Sequence, residues 1–176
     1  MTSIDMSRSF ISINIAILTI SDSRTLKDDS SGNLLEERIK NFGHKILDRQ
    51  IIADDVSLIK KTILNLSSNK LIDTIITTGG TGLTGRDITP ETIKEIADKE
   101  IPGFGELFRE LSYKTVGTSA MQSRACAVLA NGKYIFALPG SSGGVTDAWE
   151  GILKYQLDIN HKPCNFVELF PRLKEK

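Results

Sequence analysis

Short apolar runs alternate with segments of helical periodicity through the first half of the chain. Three runs rich in β-branched residues predict buried strands at residues 13–20, 44–52 and 71–77. After the first run, an apolar stripe that ends at Gly43 predicts a helix, and a stripe after the second run predicts another helix that begins at Asp54 or Asp55. This alternation predicts an α/β fold, with helices on both faces of a sheet.

The second half of the chain predicts that the sheet is mixed. Asn131 and Gly132 separate two apolar runs and favour a type I′ hairpin turn, so the two strands are expected to be antiparallel. A helix is predicted from Thr89, its N-cap, to about Lys99, and another after the last strand, with Trp149 on its inner side. The chain is predicted to form one domain, residues 1–176, with its core in residues 13–158.

One amphipathic segment allows two interpretations. Within the sequence IPGFGELFRELSY, one helical face carries Phe104, Leu107, Phe108 and Leu111. This face can pack into the core of the domain, or it can contact another subunit.

Composition and charge narrow the classes of partner. Lysine and arginine number 22, as do aspartate and glutamate, so the formal net charge at pH 7 is zero and gives no overall attraction to nucleic acid or to an anionic membrane. A small-molecule partner is favoured. Cys126 and Cys164 form neither a C-x-x-C pair nor a disulfide framework, which fits a reducing cytoplasm. The apolar run from Phe10 to Ile20 is too short to cross a bilayer.

Glycine occupies four of the seven positions from Gly79 to Gly85. The last six of these positions match the G-x-G-x-x-G pattern of a dinucleotide-binding dehydrogenase, yet the predicted helix begins at Thr89, beyond the motif instead of within it. No Gly-Lys-Ser/Thr follows, so a P-loop is excluded. Glycine permits positive φ and close backbone approach, which lets consecutive N–H groups turn toward an anion. The segment therefore predicts a phosphate site; a tight turn alone is the alternative.

Small and polar residues follow each predicted parallel strand, where ligands bind in open α/β sheets. Asp54 can be only a helix N-cap, Asp87 can serve only turn amides, and Arg86 can be a solvated charge. Because the carboxyl ends of parallel strands share one edge, we expect these residues to converge, with Asp87 able to hold a metal beside phosphate. The candidates are Ser21, Asp22, Asp54, Gly79, Gly80, Thr81, Gly82, Arg86, Asp87, Pro139, Gly140, Ser141 and Ser142.

Five blocks in a fixed order carry a family resemblance: ILTISDS, TTGGTGLTGRDITPETI, IPGFGELFRELSY, GTSAMQSRA and FALPGSSGG. Together they resemble the MoaB/MogA family of molybdenum cofactor biosynthesis proteins, the molybdopterin adenylyltransferases, over about residues 13–166. The passage from the last block to the end is more similar to the MoaB branch. The resemblance implies the three-layer α/β/α fold of molybdopterin-binding domains and a homo-oligomer, either a trimer or a hexamer.

The resemblance also implies a chemistry. The family's enzymes bind molybdopterin, a pterin dithiolene that ends in a phosphate, and adenylylate it with ATP and Mg²⁺. The essential acidic pair, catalytic and magnesium-binding, falls on Asp54 and Asp87. The anion loop falls on residues 79–82 and a second loop on residues 139–142, while Ser21, Asp22 and Arg86 are further expected ligand-binding residues. A non-catalytic molybdopterin carrier with the same pocket is the alternative.

Overall fold

A computed structural model of the chain describes residues 3–175, and its centre is a sheet of six strands. These strands are β2 (Asn14–Ile20), β3 (Lys45–Ile52), β4 (Thr74–Thr78), β5 (Lys99–Glu100), β6 (Cys126–Ala130) and β7 (Lys133–Leu138). Their order in the sheet is β3-β2-β4-β7-β6-β5, and β5 to β7 are joined by antiparallel pairing while the other neighbours are parallel. Two short strands, β1 (Ser3–Ile4) and β8 (His161–Lys162), pair in a separate sheet.

Helices cover both faces of the central sheet. They are α1 (Ser30–Phe42), α2 (Val56–Ser68), α3 (Thr89–Glu95), α4 (Pro102–Val116), α5 (Ser142–Ala148) and α6 (Lys154–Gln156), with a π-helical segment, Trp149–Leu153, between the last two. One apolar core joins the sheet to α1, α4 and α5, and a second joins it to α2 and α3. The three-layer fold with a mostly parallel, mixed sheet is therefore confirmed. None of the helices in residues 3–175 has the length and apolar character needed to cross a membrane.

The turns follow from glycine and asparagine at positions that need positive φ. Gly43 ends α1 at φ 103°, and its N–H bonds the carbonyls of Ile39 and Lys40. Asn131 and Gly132 adopt φ values of 50° and 68° between β6 and β7. These values suit the predicted type I′ turn and explain why the two strands are antiparallel.

The predicted helix from Thr89 to about Lys99 begins at the expected residue, but its C-terminal end and its N-cap are wrong. It ends at Glu95, because Lys99 and Glu100 pair with β6 as an edge strand instead. Thr89 is the first helical residue and not its N-cap, since its hydroxyl donates to the Gly79 carbonyl at 3.1 Å. Here strand pairing and a tertiary hydrogen bond override the local sequence signal.

The amphipathic face of α4 divides between core and surface. Phe104 and Phe108 are buried in the core and Leu111 packs against it, but Leu107 is 43% exposed. The core interpretation therefore holds for three of the four residues. The exposed side of the helix also carries Tyr113 and Val116.

Candidate functional site

The carboxyl ends of four parallel strands bring the predicted loops to one edge of the sheet. Gly79 N–H, after β4, donates to the Leu138 carbonyl at the end of β7 (3.0 Å). On the other side, Ser21 N–H, after β2, donates to the Ile52 carbonyl at the end of β3 (2.8 Å). The two glycine-rich loops and the two acidic loops are thus side by side, as the sequence predicts.

The glycine loop depends on backbone approach that no other residue allows. Gly79 and Gly80 have φ values of 106° and 65°. A Cβ atom at Gly79 would lie 2.2 Å from the Ile20 carbonyl oxygen, and one at Gly140 would lie 3.3 Å from the Gly79 Cα. Glycine therefore does more here than close a turn: it lets the ends of β2, β4 and β7 touch.

This loop presents unused amides to a cavity of about 350 Å³. Within residues 3–175, the N–H groups of Gly80 and Thr81 have no hydrogen-bond acceptor. Exposed consecutive amides of this kind form concave sites for anions. The cavity is lined by the loop, by Asp87 and by Gln122, Ser123, Pro139, Gly140 and Ser141.

The carboxylate of Asp87 accepts hydrogen bonds from the turn that follows the glycine loop. Its Oδ2 accepts from the amide and the hydroxyl of Thr84, at 2.9 and 2.7 Å. Burial alone would raise the pKa of this carboxyl, but hydrogen bonds from Thr84 and Gly82 outweigh it and lower the pKa. Asp87 is therefore ionised beside the amides of the anion loop.

Asp54 does not cap the second helix; its neighbour does. Asp55 Oδ1 accepts from Leu58 N–H at 2.7 Å, which makes Asp55 the N-cap of α2. In the described part of the chain, the Asp54 carboxylate receives no hydrogen bond from another residue. Its Oδ1 would lie 3.3 Å from a Cβ atom at Gly80, so it borders the glycine loop without lining the cavity.

The two carboxylates repel each other across the glycine loop. Burial, and then the negative charge of Asp87, raise the pKa of Asp54. A divalent cation between them would relieve this repulsion, and Mg²⁺ is commonly held by one or two carboxylates with water and phosphate oxygens. No group of three or more His, Cys, Asp or Glu side chains in residues 3–175 could hold a metal by itself. The pair thus fits a magnesium ion that phosphate helps to bind.

Asp22 and Arg86 pair with each other above this edge. Arg86 forms an exposed ion pair with Asp22 Oδ2, and Asp22 Oδ1 accepts from Asp54 N–H at 3.2 Å. Asp22 thereby ties the loop after β2 to the loop after β3. The Ser21 hydroxyl accepts from two amides of its own loop, those of Ser23 and Arg24, and does not line the cavity.

The second loop leads into α5. The Ser141 hydroxyl accepts from Gly144 N–H at 3.1 Å as the N-cap of α5, and Ser141 lines the cavity. Ser142 is the first residue of the helix and does not line the cavity, although Pro139 and Gly140 do. Ser141, Pro139 and Ser123 also line an adjoining, more apolar cavity of about 440 Å³ that reaches Phe108 and Val116.

Sequence patterns do not reveal Arg124, which holds the glycine loop in shape. Its N–H donates to the Thr81 carbonyl (3.1 Å) and its Nε to the Gly82 carbonyl (2.6 Å), while the guanidinium also contacts the Asp87 carbonyl. The only available signal is its place in the block GTSAMQSRA. Turning loop carbonyls outward in this way leaves the loop amides facing the cavity.

Comparisons with known proteins identify relatives of the chain. A family model described as a probable molybdopterin binding domain matches residues 16–158. Molybdenum cofactor biosynthesis protein B of Escherichia coli K12 is 41% identical over 97% of this chain and 98% of that protein. The protein of the same name from Bacillus cereus is 43% identical over 82% of this chain and 86% of its own length.

Solved structures show the same relationship. A crystal structure of a molybdenum cofactor biosynthesis protein B superposes with a TM-score of 0.86, at 37% identity, over 96% of this chain and 100% of that chain. The tungsten cofactor synthesizing protein MoaB from Pyrococcus furiosus gives a TM-score of 0.72 at 34% identity, over 80% and 90% of the two chains.

The glycine loop generates a first prediction. Gly80→Ala should weaken pyrophosphate binding at least about 10-fold, because its Cβ would lie 2.3 Å from Thr89 Oγ1 at a φ that side chains rarely adopt. Gly85→Ala is the matched control, since a Cβ at Gly85 meets nothing within 4 Å. Titration calorimetry measures both. Unchanged affinity in a folded Gly80→Ala protein would show that the loop is only a turn.

The raised pKa of Asp54 generates a second prediction. The folded state favours the protonated carboxyl, so wild-type stability is reduced as the pH rises through the pKa of Asp54. Asp54→Asn removes the repulsion and should raise Tm at pH 7 by about 1–2 °C after allowance for solvent screening, with no gain at pH 3. Calorimetric melting measures this.

Magnesium provides the control for that experiment. If both carboxylates hold the cation, Mg²⁺ should raise the Tm of the wild type more than that of Asp54→Asn. A lower Tm for the variant at pH 7 would mean that Asp54 makes a stabilising contact.

Proposed function

Because the chain belongs to the MoaB family of molybdenum cofactor biosynthesis proteins, we propose that it binds molybdopterin and adenylylates it with ATP. The role in molybdenum cofactor biosynthesis follows from the family. The observation that supports adenylyl transfer is the pair of carboxylates, Asp54 and Asp87, that border a glycine loop with free amides. Such a site suits two phosphate-bearing substrates and a cation.

The reaction needs no covalent intermediate with the protein. An oxygen of the terminal phosphate of molybdopterin attacks the α-phosphorus of ATP, the bond to the β-phosphate oxygen breaks, and pyrophosphate leaves. Mg²⁺, when bound, neutralises charge that develops on the phosphate oxygens. The chain's own contribution is to hold both polyanions in line, through the amides of Gly80 and Thr81, and to place Asp54 and Asp87 where they bind the cation.

The adjoining cavity suits the pterin. It opens from the glycine-loop cavity across Ser123, Pro139 and Ser141, and its far wall contains the apolar side chains of Phe108 and Val116. A flat, mostly apolar ring with polar edges would contact apolar side chains there while Ser141 supplies a hydroxyl. We expect the phosphate end of molybdopterin to lie toward the loop amides in this binding mode.

Incubation with molybdopterin, ATP and Mg²⁺ tests the proposal. We expect adenylylated molybdopterin and one equivalent of pyrophosphate. Binding of molybdopterin without release of pyrophosphate would favour the alternative, a carrier of the same pathway that uses the same pocket.

We further propose that the chain forms a homo-oligomer, a trimer or a hexamer. Helix α4 and the turn after it expose several large apolar side chains, among them Leu107, Tyr113 and Met121, of which Met121 is 80% exposed. A second copy would remove this surface from water. Light scattering at micromolar concentration should therefore give a trimeric or hexameric mass, and a monomeric mass would contradict the proposal.

The role of Asp87 generates a further prediction. Asp87→Asn keeps the shape of the side chain but removes the charge that would hold the cation, so turnover should fall by about 10²-fold or more. Molybdopterin affinity should stay similar or rise, since a carboxylate beside phosphate is lost. Asp55→Asn is the matched control, because asparagine caps a helix as well as aspartate does. Retained magnesium-dependent turnover in Asp87→Asn would make Asp87 a structural residue only.

A further inference from the structure

A second arginine reaches the functional edge from the loop after β2. Arg24 Nη2 donates to the Gly140 carbonyl at 2.9 Å, across a separation of 116 residues. Its Nη1 donates to the Ser31 hydroxyl at 2.6 Å and lies 3.5 Å from Asp29 Oδ1. One guanidinium therefore joins the start of α1 to the loop that precedes α5.

The partner that orients Arg24 is a fully buried carboxylate. Asp29 has no exposed surface and caps α1, accepting from Gly32 N–H at 2.9 Å and from Thr19 Oγ1 at 2.6 Å. Its other oxygen lies 3.2 Å from Arg49 Nη2 on the edge strand β3. These bonds and charges hold Asp29 ionised, and a buried carboxylate with this many partners can move little.

Of the groups that Arg24 contacts, only the Gly140 carbonyl belongs to the second loop, residues 139–142. Two neighbours of this peptide already bond to the end of β4, since Thr78 Oγ1 donates to the Pro139 carbonyl (2.9 Å) and Gly79 N–H to the Leu138 carbonyl (3.0 Å). Arg24 fixes the next carbonyl along the chain. The residue after it is Ser141, which lines both cavities.

We propose that Arg24, oriented by Asp29, is a positioning residue that fixes the Gly140 peptide and so aims Ser141 at molybdopterin. The effect on affinity rests on the proposed function, whereas the effect on the loop does not. Arg24 contacts no cavity directly; it acts through the backbone of the second loop.

Arg24→Lys tests this with Arg49→Lys as the matched control. Both changes keep a positive charge beside Asp29, but the single nitrogen of lysine cannot occupy the positions of both Nη1 and Nη2, which bond Ser31 and the Gly140 carbonyl. Only Arg24→Lys breaks the contact to the loop. Should Arg24→Lys fail to fold, Arg24→Gln removes the same contact with a neutral amide.

Two measurements, hydrogen–deuterium exchange and ligand binding, compare the two variants with the wild type. In the ligand-free protein, hydrogen–deuterium exchange of the peptide that covers residues 139–145 should become about 10-fold faster in Arg24→Lys and stay unchanged in Arg49→Lys. Molybdopterin should then bind Arg24→Lys about 10-fold more weakly, while pyrophosphate, held by the first loop, should bind equally well.

Other results would overturn the proposal. Equal exchange in the two variants would mean that Arg24 has only a general structural role, and faster exchange with unchanged molybdopterin affinity would mean that it does not position the ligand loop. If the wild type bound no molybdopterin, the proposed function would fail, and the exchange measurement would still decide whether Arg24 fixes the loop.

Discussion

The close approach of three backbone segments at the carboxyl edge of the sheet is the constraint on which the site depends. The ends of β2, β4 and β7 touch at Ile20, Gly79 and Gly140, with no space for a Cβ atom between them. Side chains at the two glycine positions would push apart the loops that follow these strands. Glycine at these positions lets the loop amides and the two aspartates share one small space.

The close approach of the loops also brings two negative charges near each other, and their repulsion lowers the stability of the ligand-free protein. Asp54 borders the glycine loop at Gly80 and Asp87 borders it at Gly82, and the Asp54 carboxylate receives no hydrogen bond from another described residue to offset its burial. Functional sites commonly contain such unsatisfied charge, because a cation and phosphate complete them on binding. The Asp22–Arg86 ion pair is different, because its two opposite charges compensate each other in the ligand-free protein.

Sequence patterns predict much of this molecule because local chemistry dictates it. Apolar runs predict the buried strands, Asn131 and Gly132 predict the hairpin, and the order of polar residues after each strand predicts the shared edge. The end of α3 was beyond such reasoning, because the pairing of Lys99 and Glu100 with β6 is a tertiary contact.

The supporting arginines are hidden from sequence for the same reason. Arg124 bonds carbonyls of the glycine loop more than 35 residues away, and Arg24 bonds the Gly140 carbonyl across 116 residues, in a loop that shows no periodicity. A choice between Asp54 and Asp55 as helix cap also required coordinates, since adjacent aspartates suit the same position equally well. Residue types reveal which groups can do chemistry, whereas hydrogen-bond geometry reveals which groups hold them in place.

The central claim is that one cation binds between Asp54 and Asp87 when phosphate occupies the glycine loop. A crystal structure with Mn²⁺, used in place of Mg²⁺, and ATP tests it most directly, because manganese gives an anomalous signal. We expect one anomalous peak within about 2.0–2.3 Å of an oxygen of Asp54 or Asp87, or one water molecule away from it. The manganese ion at this peak should also contact a phosphate oxygen. A well-ordered ATP with its only manganese peak remote from both carboxylates would show that the cation does not bind between Asp54 and Asp87.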